Sequence, residues 1–104
     1  NDLDDIQAIF FEECTEGLSA AEEGLTAMAD GDLGRETIAA VFRAVHSIKG
    51  GSGAFGQNDL LAFSHQFENV LDAIRADRLI PTPTLVRVLL SAFDVLSDHV
   101  SAAR

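Results

Sequence analysis

Cysteine occurs once in this chain, and basic side chains number seven against 17 acidic ones. Each scarcity removes a class of answer. A lone thiol, Cys14, cannot close an internal disulfide, and it suits a reducing, cytoplasmic compartment. A net charge of -10 argues against nucleic acid and anionic membrane surfaces, which both attract cations. No apolar run approaches the ~20 residues of a membrane span, and no signal peptide is visible. Nowhere does hydrophobicity alternate with period two for long enough to make a strand. The first residue is Asn1 and not an initiator Met, so a piece of a longer protein is expected.

What is present is apolar content at helical spacing. Hydrophobic residues make up 47% of the 104 residues, enough for one modest core in one domain. Leu3, Ile6, Phe10, Cys14, Leu18, Ala21, Leu25 and Met28 predict a first helix over about 2–29, capped by Asn1 or Asp2. Asp4 and Asp5 suit its first turn, and Asp30-Gly31-Asp32 ends it. Cys14 lies on the stripe and reads as a small core hydrophobe, not as a reactive thiol. Ile9 falls on the opposite face, where a partner can reach it.

A second helix is expected over about 35–55, with Ile38, Val41, Phe42 and Val45 within an arc of about 100°. A third, over about 58–77, is expected to be capped by Asn58. It carries Leu60, Leu61, Phe63, Phe67, Val70, Leu71 and Ile74, and Arg75-Ala76-Asp77-Arg78 closes it. Thr82 as cap and Pro83 at the first helical position start a fourth over about 83–103. His99, near its end, is expected to meet solvent or the helix dipole. Amphipathic helices joined by short loops predict an all-α fold, an antiparallel up-and-down four-helix bundle.

Chemistry concentrates in Val45-His46-Ser47-Ile48-Lys49-Gly50-Gly51-Ser52-Gly53-Ala54-Phe55-Gly56. His46 falls at the edge of the buried arc, with Arg43 and Lys49 a turn away on either side. Gly50, Gly51 and Gly53 weaken the helix that carries them, and the absent Cβ atoms of Gly50 and Gly53 leave room for a partner beside the imidazole. A turn centred near residue 57 places position n of the second helix level with 114 − n of the third. His46 is then level with Glu68, and Lys49 with His65. A carboxylate that accepts the Nδ1–H of a neutral imidazole leaves the Nε2 lone pair free for nucleophilic attack. The constellation therefore suits phosphoryl transfer to His46 Nε2, with Glu68 holding Nδ1–H and nearby cations offsetting phosphoryl charge. No nucleotide site of its own is evident.

Other readings of the same residues stand beside this one. Gly51-Ser52-Gly53-Ala54-Phe55-Gly56 matches G-x-G-x-x-G, but a helix precedes it where a dinucleotide fold needs a strand. His46, His65 and Glu68 have a reasonable count for a metal site, although Lys49 would repel the cation. A purely structural bundle is the remaining alternative.

Val41-Phe42-Arg43 and His46 through Gly56 strongly resemble the histidine phosphotransfer (HPt) domain of chemotaxis histidine kinases of the CheA type. Ser64-His65-Gln66-Phe67-Glu68 through Leu71-Asp72-Ala73-Ile74-Arg75 is similar to that family's third helix, and Phe11-Glu12-Glu13 with Leu18 and Leu25 to its first. The resemblance implies that His46 is the phosphorylated residue and that Lys49, His65 and Glu68 complete its site. It implies two partners: a separate ATP-binding kinase domain that phosphorylates the histidine, and a response-regulator receiver domain that takes the phosphoryl group onto an aspartate. The isolated HPt domain, residues 1–104, is expected to be monomeric, without a cofactor, and to be the N-terminal part of a larger kinase. A freestanding phosphorelay carrier is the alternative. Domains of this family often carry a fifth helix, and the wide apolar face of the fourth segment is compatible with such a neighbour.

Overall fold

The computed structural model describes residues 1–54 and 57–103. Four helices account for the described chain: α1 (Asp2–Ala29), α2 (Arg35–Ala54), α3 (Asn58–Arg75) and α4 (Pro83–Ala103). The last expected residue of the second helix, Phe55, lies outside the described residues.

The helix ends follow local chemistry. Asn1 Oδ1 accepts from the Asp4 backbone N–H at 2.9 Å and caps α1. At its other end Gly31 takes φ 104°, the Asp32 N–H bonds back to Ala27 O and the Gly31 N–H to Met28 O, a Schellman ending. The same motif ends α3 two residues earlier than the spacing predicts. Asp77 takes φ 61°, and the Arg78 and Asp77 N–H groups return to Ala73 O and Ile74 O. Aspartate tolerates the left-handed region because its short polar side chain fits there. Asn58 is not the cap of α3 but its first residue; Gln57 precedes it without a side-chain cap hydrogen bond. Thr82 Oγ1 accepts from Leu85 N–H at 3.2 Å and starts α4 as expected.

The helices form an up-and-down bundle 46 Å long and 20 Å across. Contacts run round a square, α1 to α2, α2 to α3, α3 to α4 and α4 to α1, with none across the diagonals among the described residues. Gly24 faces Val41 while Phe10 faces Gly51, so α1 and α2 are antiparallel. A larger core, including Leu25, Val41, Val45, Phe67, Leu71, Leu89 and Phe93, fills the end with the α1–α2 and α3–α4 loops. A smaller one, of Phe10, Phe11, Cys14, Ile48, Leu60, Leu96 and Val100, fills the other, and Leu18 and Phe63 pack against both.

Two members of the predicted α1 stripe are not in either core: Leu3 is 64% and Ile6 52% exposed. With Phe10 opposite Gly51, the first turn of α1 lies beyond Ala54 and finds no described α2 residue to pack against. Cys14 is buried as expected, and burial, with the charge of Glu13 adding to it, pushes its thiol up to about 11. His99 does not simply face solvent. Its ring stacks on Phe63 at 5.5 Å between centroids.

Candidate functional site

Helical spacing puts His46 and Lys49 one turn apart on α2, and the antiparallel register brings Glu68 of α3 to the same height. Glu68 Oε2 lies 2.8 Å from His46 Nδ1, and Oε1 accepts from Lys49 Nζ at 2.9 Å. Side-chain exposure grades outward, 12% for Glu68, 22% for Lys49 and 60% for His46. The carboxylate is therefore set into the helix interface while the imidazole stands at the surface.

Charge decides the tautomer. Burial alone, the largest single influence on Glu68, would raise its pKa; the hydrogen bonds and charges of Lys49 and His46 together outweigh it and hold the carboxyl below its ordinary value. An ionised carboxylate only accepts hydrogen bonds, so His46 Nδ1 carries the proton and donates it. In the neutral ring the remaining lone pair is on Nε2, on the edge away from Glu68. A nucleophilic nitrogen at the surface with a carboxylate behind it is the result.

The other expected residues fall differently. His65 is exposed, and no hydrogen bond or ring contact joins it to a described residue. Lys49, level with His65 by register, gives its ammonium to Glu68 instead. Arg43 turns back along α2 and pairs with Glu36 at 2.9 Å, so it does not face the imidazole. Gly50 has open space where its Cβ would be, which fits the expected room for a partner, whereas a Cβ at Gly53 would touch the Leu61 methyls at 3.8 and 3.9 Å. Gly51 serves the core instead, because an added Cβ would run into the Phe10 ring. No group of three or more His, Cys, Asp or Glu among the described residues is arranged to hold a metal ion.

Two participants were not legible as such in the sequence. Phe42 reads as core filler, yet its ring stacks on the His46 imidazole at 6.0 Å with 11° between planes. The i, i+4 spacing was the available signal. Arg75, in the last turn of α3, sets its guanidinium 3.9 Å from the Phe42 ring centroid, and nothing in the spacing announces that. A groove of about 520 Å³ runs between α1 and α2, lined by Glu13, Glu16, Gly17, Ala20, Arg43 and Ser47 among others; His46, turned toward α3, is not part of its lining.

The Hpt domain family model matches residues 5–103. Chemotaxis protein CheA of Rhizobium meliloti is 52% identical over 103 residues, covering 99% of this chain and 14% of that protein. Chemotaxis protein CheA of Cereibacter sphaeroides is 51% identical over 106 residues, covering 99% and 16%. The chain thus spans less than a fifth of the length of these relatives. Among solved structures, the phosphorylated P1 domain of CheA3 in complex with CheY6 from R. sphaeroides superposes with a TM-score of 0.89 at 27% identity, over 95% of this chain and 77% of that one. The CheA phosphotransferase domain from Thermotoga maritima gives 0.84 at 25% identity, over 95% and 94%. No helix among the described residues is long and apolar enough to cross a membrane.

Proposed function

The chain belongs to the Hpt domain family, and on that premise we propose that it carries phosphoryl groups on His46 Nε2 within a cytoplasmic chemotaxis kinase. The observation that carries this reading is the 2.8 Å contact between Glu68 and Nδ1 of an imidazole that is otherwise exposed. The domain needs no cofactor of its own. ATP is held by a separate kinase domain, which docks against the exposed imidazole edge.

Phosphoryl transfer asks little covalent chemistry of a protein and much positioning. The Nε2 lone pair attacks the γ-phosphorus of ATP, the bond from that phosphorus to the bridging oxygen breaks, and its electron pair leaves with ADP. Positive charge develops on the ring, and Glu68 stabilises it through the Nδ1 proton it already accepts. Lys49, one turn away, offsets charge on the phosphoryl oxygens. In the second step a carboxylate oxygen of a receiver-domain aspartate attacks phosphorus. The P–Nε2 bond breaks and its electrons return to the ring.

Relatives at 51 and 52% identity that are several times longer favour a segment of a kinase over a freestanding carrier. The neighbouring P1 domain described in complex with CheY6 supports a receiver domain as the acceptor. The domain itself acts as a monomer. The test is His46→Gln: the exposed imidazole contributes little to packing, so thermal unfolding stays within a few degrees of the native chain. Incubation with ATP and the cognate kinase domain labels the native chain with acid-labile phosphate and leaves the variant unlabelled. Equal labelling of the two would refute the assignment.

A further inference from the structure

The Glu68 hydrogen bond restrains the imidazole at one nitrogen only, and such a bond tolerates a spread of His46 χ1 and χ2 angles that tilts the ring plane. A nucleophile with that freedom would aim Nε2 over a range of directions. Phe42 removes it. Its ring lies 6.0 Å from the imidazole centroid with the planes only 11° apart, within the range of favourable aromatic stacking.

Phe42 is itself held from the neighbouring helix. The Arg75 guanidinium sits 3.9 Å from the Phe42 centroid, well inside cation–π distance. Arg75 Nη2 also donates to Asp72 Oδ1 at 3.1 Å, which tethers the cation on α3. α3 therefore restrains the imidazole twice, at its edge through Glu68 and on its face through Arg75 and Phe42. We propose that Phe42, braced by Arg75, is a positioning residue that sets the plane of the His46 ring and so the direction of Nε2. The proposal rests on the phosphoacceptor reading of His46. In-line attack depends steeply on such alignment.

A core-filling role for Phe42 needs only bulk, whereas a positioning role needs a flat face. Phe42→Leu keeps bulk and removes the face; Phe42→Tyr keeps both. Arg75→Gln removes the brace at a side chain that is 43% exposed, without disturbing the core. Two readouts on the 104-residue chain decide the matter: the 15N shifts and tautomer balance of the His46 ring by NMR, and the kcat and KM of phosphoryl uptake from ATP with a kinase catalytic domain. Phe42→Leu is expected to move the ring shifts and to lower kcat about 3- to 10-fold at unchanged KM. Phe42→Tyr restores both, and Arg75→Gln shows the same changes in smaller measure. Native ring shifts and native kcat in Phe42→Leu and Arg75→Gln overturn the proposal, as does a loss in Phe42→Leu that Tyr does not restore. Should Phe42→Leu fail to fold, Arg75→Gln alone decides. A native chain that takes up no phosphate overturns the phosphoacceptor reading, and the ring shifts still decide whether Phe42 sets the plane.

Discussion

Lys49 of α2 gives its ammonium to Glu68 of α3 at 2.9 Å, on the carboxylate oxygen that His46 leaves free. One side chain thus serves two donors, and each oxygen has its own partner. The pairing explains how a mostly buried carboxylate stays ionised, since Lys49 supplies a compensating charge of its own. It also alters what removing Glu68 does. On register alone, Glu68→Ala spares the fold; with Lys49 only 22% exposed, that variant strands an ammonium in the helix interface.

Glu68→Gln is the cleaner substitution, because an amide can still accept from His46 Nδ1 or Lys49 while the charge is lost. It is expected to slow phosphorylation of His46 by about 5- to 150-fold, the equivalent of about 1–3 kcal/mol of lost transition-state stabilisation. Stopped-time labelling with ATP and the kinase domain measures it. A rate within twofold of the native chain would take Glu68 out of the mechanism.

The same carboxylate makes stability depend on pH. Its folded pKa lies below the unfolded value, so the unfolded chain binds more protons as pH falls through the carboxylate range. Its contribution to stability is complete above the ordinary carboxylate value of about 4.3 and is lost as pH drops through the lower folded value. Urea titrations at several pH values should show the native chain and Glu68→Gln converging on acidification. A gap between them that stays constant down to the acid limit contradicts the pairing.

Adjacent glycines should respond oppositely to alanine. Gly50→Ala meets open space and gains helix propensity, so it is expected to stabilise by roughly 0.5–1 kcal/mol. Gly51→Ala drives a Cβ into the buried Phe10 ring, and overpacking of about 1–3 kcal/mol outweighs that gain. Thermal melts of the two variants decide it; a stabilised Gly51→Ala would mean that Phe10 yields freely.

Receiver recognition is expected on the α1–α2 side of the bundle. Ile9, 54% exposed on α1, is the best apolar contact there. Ile9→Asp should slow transfer to a receiver about 5-fold or more while the melting temperature holds. Charge reversal at the exposed Asp94 or Asp98 of α4 should leave transfer unchanged. Equal losses on both sides of the bundle would contradict a localised docking face.

Much of this arrangement was written in local chemistry. Spacing of apolar residues at three and four is enough to place four helices, since burying a stripe requires that period and strands require another. Capping rules placed the ends at Asn1, Gly31 and Thr82 correctly, and missed at Asn58 and Asp77. There a polar residue can serve as cap, first turn or left-handed ending, and neighbours settle which. His46 level with Glu68 followed from counting residues about one short connection, because α2 and α3 are regular helices whose facing residues run antiparallel.

The sequence by itself determined the helices, the antiparallel hairpin and the height at which His46, Lys49 and Glu68 meet, all of which depend on residue order along rigid, regular elements. Only the tertiary structure decided how side chains at that height are shared. It gave Lys49 to Glu68 and left His65 in solvent, turned Arg43 toward Glu36, set Phe10 against Gly51 and laid Phe42 between the reach of Arg75 and the imidazole. Those outcomes depend on rotamers and on competition for partners across helix interfaces, and neither is encoded in periodicity.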